Sequence, residues 1–437
     1  MEITKIRPAL DHIKKACGKN LDQLYPAGVP EFVQERYERE LNWLELFDSI
    51  ENFEIFCRLS EAAEQTSQYM IVRGTAANLF LVYLLNGTGP NPLPAHYYCR
   101  QCGYLEMPDD SSVYGPDLPE ISCPVCGTKI AADGFRLHEE LAWRRNGTAN
   151  MLDFEYRVSR EFLPEAKRVL QECYPDRCVV KRAVEHTEAD PDTGAETTRL
   201  VQYGYAVLPE GKTLEDYPEL AAELEDGGCG VCGSLPVLES SGIKVVGVLS
   251  SELLDDLMWL QKEQGLNAAE IGLRRLNSMT LQDLLDIGVF YKGVWDMAAA
   301  EQPKDWRGLL KCYAEVHNSY RQIPFCEDWE KRAQEVRTVI LQNPDFVQAD
   351  CVTRDDFYER LMQFGVEKTA ALRISRDIQM CRADRAPEFI VLPVPEYVKR
   401  AAKVYSYMLP AADCLEFLLA QARAAYYWKH RKNKHTP

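Results

Sequence analysis

A mixed α+β fold is predicted: a strand-bearing part over residues 1–250, interrupted by a four-cysteine module at 93–135, then a mainly helical part over 251–437. Three observations carry this. Short runs of β-branched, aromatic and other apolar residues (Tyr69–Val72, Leu200–Leu208, Ile243–Leu249) fall within the first 250 residues. Two Cys-x-x-Cys pairs, Cys99/Cys102 and Cys123/Cys126, interrupt them. From Ser251 onward the pattern is helical, punctuated by Gly265, Gly288, Gly293, Pro303, Pro324, Pro344, Pro387, Pro393 and Pro395.

In chain order, Val29–Glu64 carries apolar side chains at mixed three- and four-residue spacing amid charges, which predicts one or two amphipathic helices. Tyr69–Val72 reads as a buried strand, Arg73-Gly74-Thr75 as a turn and Ala76–Leu85 as a helix. Asn86–Pro94, dense in Gly and Pro, leads into the cysteine module. Glu185–Glu196 is acidic and turn-rich, the signature of an exposed hairpin tip. The tail Lys429–His435 is a basic cluster, read first as a solvated terminus.

The chain has 437 residues, 46% of them apolar, enough for a sizeable core. Lys and Arg number 50 against 67 Asp and Glu, a net charge of −17. Such a field repels phosphate and excludes a general DNA coat; nucleic-acid contact would need a local basic patch. The longest apolar stretch, around Asn78–Leu85, is far too short to span a bilayer and the start lacks a signal-peptide core, so a cytoplasmic protein with no membrane partner is expected. Fifteen cysteines in such a chain fit reduced thiols and metal ligands better than a disulfide framework.

Twenty residues separate the pairs Cys99/Cys102 and Cys123/Cys126, the spacing that lets two knuckles converge on one tetrahedral zinc. Gly103 and Gly127 follow the knuckles and permit their tight turns. A closed four-thiolate site is a structural staple with no open coordination position; four ordinary buried thiols are the alternative. Cys229 and Cys232 form half of another such site, with Cys173 and Cys178 as its other half; a redox pair or plain thiols compete with that reading. Asp153-Phe154-Glu155 sets two carboxylates two residues apart, which on a strand project from one face as a cradle for a divalent cation. Taken alone, solvent-facing carboxylates explain that pair as well.

Several segments in the same order resemble the PolC class of bacterial family C replicative DNA polymerases, the DNA polymerase III alpha subunit. They are Phe32–Leu44, Arg73-Gly74-Thr75, Asn91–Cys102, Asp117-Leu118-Pro119, Cys123–Thr128, Asp153–Pro164, Tyr174–Val180, Gly204–Pro209, Leu253–Gly265 and Pro387–His430. The resemblance implies a nucleotidyltransferase-like palm over residues 1–250, with the zinc module inserted and a shortened thumb region at 183–200, followed by helical fingers. It also implies two magnesium ions held by a D-x-D pair and a third aspartate, a glycine turn for phosphates and basic residues that clamp the triphosphate.

Against that pattern, Asp153 and Glu155 stand at the D-x-D pair, and Gly247 stands where the third aspartate belongs, with Val246 the occupant in a shifted register. The turn keeps Arg73, Gly74 and Thr75 but continues with Ala76, Ala77 and Asn78 instead of a further glycine and serines. Pro410-Ala411-Ala412-Asp413 replaces a Pro-Lys-Ala-His segment, losing its cation. The family's flanking nucleic-acid-binding, phosphoesterase-like, exonuclease and duplex-binding regions have no counterpart in these residues. The expectation is therefore a relative that has lost polymerisation and binds DNA or replisome proteins. Arg73, Gly74, Thr75, Lys181 and Arg182 would meet phosphates, with Tyr97 or Tyr98 stacking on bases. The alternative is a minimal active nucleotidyltransferase using Asp153 and Glu155 with magnesium, with Glu239, Glu252 or Asp255 as third ligand.

Overall fold

The computed structural model describes residues 3–110, 113–146, 149–189, 196–225, 227–286, 293–323, 328–383 and 387–431. The tip of the acidic hairpin (190–195) and the tail beyond Arg431 lie outside them.

A seven-stranded mixed sheet organises the first part. Its strands are β1 (Ile71–Arg73), β2 (Glu155–Val158), β3 (Val179–Ala189), β4 (Glu196–Val207), β5 (Ala221–Glu223), β6 (Cys229–Cys232) and β7 (Lys244–Ser250). They lie in the order β1-β2-β7-β4-β3-β6-β5. The pairing of β2 with β7 is parallel and those of β1 with β2 and β4 with β7 are antiparallel.

Alternation along β2 decides which face is core. Tyr156 and Val158 are buried and join Val246, Val248, Tyr205 and Val207 beneath α1 (Ile3–Leu24), α2 (Glu31–Leu46), α3 (Ile50–Gln65), α4 (Phe80–Asn86) and α5 (Leu163–Cys173). Glu155 and Arg157 point to the opposite face. There the sheet meets α7 (Trp306–His317) and α9 (Ala411–His430), with α6 (Glu252–Gln264) and α8 (Arg354–Gln363) completing the same core. Helix α9 is buried on nearly every side, which fits its apolar, alanine-rich sequence.

The expected helices over Val29–Glu64 are α2 and α3. Helix α1 was not foreseen, although Ala9, Leu10, Ile13, Cys17 and Leu21 form its buried stripe. The expected helix Ala76–Leu85 splits into a 3-10 turn, Thr75–Asn78, and α4, because Leu79 is extended between them. The strands expected at Leu200–Leu208 and Ile243–Leu249 are β4 and β7.

Candidate functional site

Arg73, Glu155 and Gly247 occupy adjacent positions on three neighbouring strands: Arg73 pairs with Glu155, and Gly247 is the parallel partner of Glu155. The position that the resemblance assigns to a third carboxylate thus lies beside the second one and bears no side chain. A Cβ built at Gly247 would have its nearest neighbours at 3.6–3.7 Å, ordinary contact distance. Space is therefore not the reason for the glycine.

Two guanidiniums hold Glu155. Arg73 Nη1 lies 3.1 Å and Arg157 Nη2 2.8 Å from Glu155 Oε1, and Tyr203 Oη donates to Oε2 at 3.4 Å. Arg73 also reaches Asp413 Oδ2 at 3.4 Å, while the Gly74 N–H donates to Asp413 Oδ1 at 3.0 Å. A guanidinium therefore sits between the two carboxylates, with its plane near Phe417. Burial alone would lower the Arg73 pKa, but Asp413 and then Glu155 outweigh it and hold the group above its ordinary value. Burial pushes the Asp413 carboxyl up against the opposing pull of Arg73. Arg73 keeps its charge, since two acids face it and arginine does not deprotonate in proteins.

Asp153 lies just ahead of β2. Its backbone carbonyl accepts the Ala76 N–H, and its N–H donates to Thr75 Oγ1 at 3.0 Å. Gly74 has φ +92° and ψ −171°, and a Cβ there would lie 2.5 Å from the Asp153 carbonyl oxygen. Only glycine fits that conformation at that approach. The turn and the D-x-E segment are thus locked together.

Arg182 joins more remotely: its guanidinium carbon lies 5.5 Å from the centre of the Tyr203 ring, whose hydroxyl meets Glu155. Lys181 pairs with Tyr205 and Gly230, farther along the sheet. Tyr97 does not present its ring for stacking; it is buried and its hydroxyl donates to Pro119 O. Tyr98 packs edge-on against Tyr25. Sequence reasoning missed Arg157, Tyr203 and the positive role of Asp413. The alternation of β2 would have flagged Arg157, but nothing in the linear order joins Asp413 to Gly74.

Cys99, Cys102, Cys123 and Cys126 converge, with sulfurs within 4.8 Å of one another and two pairs at 3.5 Å. Tetrahedral zinc–thiolate bonds of ~2.3 Å require sulfurs ~3.8 Å apart, so the donors fit such an ion. The Gly103 and Gly127 N–H groups close the knuckles onto Cys99 and Cys123 carbonyls at 2.8 Å. The second quartet does not assemble: among the described residues, Cys173, Cys178, Cys229 and Cys232 form no convergent donor set. Cys229 and Cys232 are three apart on β6, which turns them to opposite faces. A different group does converge, His12, Cys57 and Glu61.

No protein-family model matches the chain. Curated relatives align along nearly all of it. A protein named DNA polymerase III PolC-type from Thermotoga petrophila is 22% identical over 478 residues, covering 97% of this chain and 34% of that protein. The protein of the same name from Bacillus subtilis is 27% identical over 483 residues, covering 98% and 33%. That from Caldanaerobacter subterraneus is 22% identical, covering 97% and 33%. The chain is thus a PolC-like relative and spans about a third of the length of the relatives it matches.

Proposed function

We propose that this PolC-like relative has lost two-metal polymerisation and serves replication as a DNA- or replisome-binding protein. In this reading the β1–β7 sheet is the palm, the helices from residue 251 are the fingers and the four thiolates hold a structural zinc. The observation that carries it is Gly247 beside Glu155. Two-metal phosphoryl transfer needs carboxylates enough to hold both ions against the attacking and leaving oxygens. Here one carboxylate is missing, and a second is neutralised by Arg73 and Arg157. Asp413 also occupies the Gly74 N–H, the amide of the turn read as phosphate-binding. A built-in anion stands where a substrate anion would bind, and a built-in guanidinium between two acids where a metal would.

Two of the replacement ligands, Asp255 and Glu252, do not favour the minimal polymerase. Asp255 Oδ1 accepts the Arg160 N–H and its other oxygen meets Arg160 Nε; Glu252 lies near the same guanidinium. Ser250, just before them, pairs with Val158, three residues or ~10 Å along the strand from Glu155. Primer extension with magnesium or manganese, comparing the native chain with Asp153→Ala, tests the reading. Neither should extend; extension by the native chain that the variant lacks would establish the minimal polymerase instead. Titrating labelled single-stranded and primer–template DNA against salt then separates the partners. Affinity that falls steeply with salt supports DNA, and its absence at low salt supports replisome proteins.

A further inference from the structure

Helices α1 and α3 pack side by side and bring together three side chains of unlike chemistry. Cys57 and Glu61 lie one turn apart on α3, hence on one face, and His12 faces them from α1. His12 Nε2 is 3.0 Å from Glu61 Oε1 and 3.9 Å from Cys57 Sγ, and all three donor atoms lie within 4.8 Å of one another. The other imidazole nitrogen, Nδ1, is 2.9 Å from Glu54 Oε2, and the second oxygen of Glu54 is held by Arg58 Nε at 2.6 Å.

We propose that His12 Nε2, Cys57 Sγ and Glu61 Oε1 form a second zinc site, independent of the four-cysteine cluster. Nitrogen, thiolate and carboxylate together are a donor set for zinc, not for magnesium or calcium, which take oxygen. Bonds of ~2.0–2.3 Å to one ion set donors ~3.2–3.6 Å apart, so the sulfur and the nitrogen need close by only a few tenths of an ångström. Glu54 supplies what metal-bound histidines regularly have, a carboxylate on the distal nitrogen that fixes tautomer and ring orientation. That carboxylate is itself anchored by Arg58. His12 and Glu61 are both partly exposed, which gives an ion a route in and leaves the fourth position to water. Without an ion the same groups make a doubly ion-paired histidine that ties α1 to α3, and the two states differ in metal content.

The test is metal per chain on the whole 437-residue chain, by mass spectrometry after loading with zinc and desalting. The native chain should carry two ions; His12→Ala and Glu61→Gln should each carry one, and so should Cys99→Ser. Glu61 is partly exposed and its amide keeps a hydrogen-bond acceptor, so Glu61→Gln reports on binding with the helix pair intact. On Cys99→Ser, X-ray absorption of the remaining ion should give one sulfur among lighter ligands. One ion on the native chain, or two ions unaffected by both His12→Ala and Glu61→Gln, would leave the cluster an ion-paired cross-link and overturn the proposal.

Discussion

Restoring the missing carboxylate is the most direct probe of the sheet's chemistry. Gly247→Asp adds a side chain where a Cβ meets nothing closer than 3.6 Å, on a strand position that needs no glycine backbone, so the cost is electrostatic. The new carboxylate would lie ~5 Å from that of Glu155, the spacing of neighbouring strands. At an effective dielectric of 20 that repulsion is ~3 kcal/mol, and Arg73 and Arg157, already bonded to Glu155, offset part of it. The variant should be destabilised by about 1–3 kcal/mol in chelator. A cation held by both acids reverses this: magnesium or manganese at a hundredfold over its dissociation constant returns about 2.7 kcal/mol. Thermal melts with and without the ions read both terms. The native chain should show no such ion-dependent shift. An equal shift in the native chain, or none in the variant, would refute the claim that Gly247 is where a metal cradle has been dismantled.

Three further outcomes follow from other positions. Gly74→Ala should cost about 3 kcal/mol or more in denaturant unfolding, since it combines a disallowed φ with a Cβ against the Asp153 carbonyl; a near-neutral result would mean the turn is not locked to that segment. Glu315 on α7 is buried, its Oε1 has no hydrogen-bond partner, and burial raises its pKa from 4.5 to about 7. With the folded value above the unfolded one, its contribution is complete below about pH 4.5 and lost as pH rises through 7. Glu315→Gln should therefore flatten the stability profile over that window and gain up to about 3 kcal/mol at pH 8, and an unchanged slope would locate the titration elsewhere. Finally, stripping zinc or replacing Cys99 by Ser should open residues 99–130 to protease while the sheet stays resistant, because that module has its own small core of Tyr97, Cys99, Cys123, Ile130 and Ala132. Uniform digestion of the whole chain would show that the staple supports more than its own module.

What could be read in the linear sequence was whatever depends on short spacing. The knuckles announce themselves because cysteine pairs and glycines lie within four residues, and β1, β4 and β7 because alternation or apolar runs need only a few positions. Helix α1 has an equally regular stripe, Ala9, Ile13, Cys17 and Leu21, but its surrounding lysines and its early proline obscured the period. The second cysteine quartet failed for the opposite reason. Cys229-x-x-Cys232 has knuckle spacing, yet the segment is drawn out as β6 between β3 and β5, and a strand cannot turn two thiolates three apart toward one ion. Spacing is a sufficient signal only where the chain is free to turn.

The departures from the polymerase pattern look independent in sequence and are coupled in space. Asp413 reads there as a lost histidine 339 residues from Gly74; folded, its carboxylate bonds the Gly74 N–H and the neighbouring Arg73. Arg73 in turn holds Glu155, whose parallel neighbour is Gly247. Removing a third acid from such a sheet would leave Arg73 and the turn amide seeking anions, and a buried donor without a partner is costly. An aspartate at the start of α9 answers both with two oxygens. The helix then closes on the sheet through a charge pair of its own. On the proposed reading, loss of the metal cradle and gain of an internal anion are one compensated change.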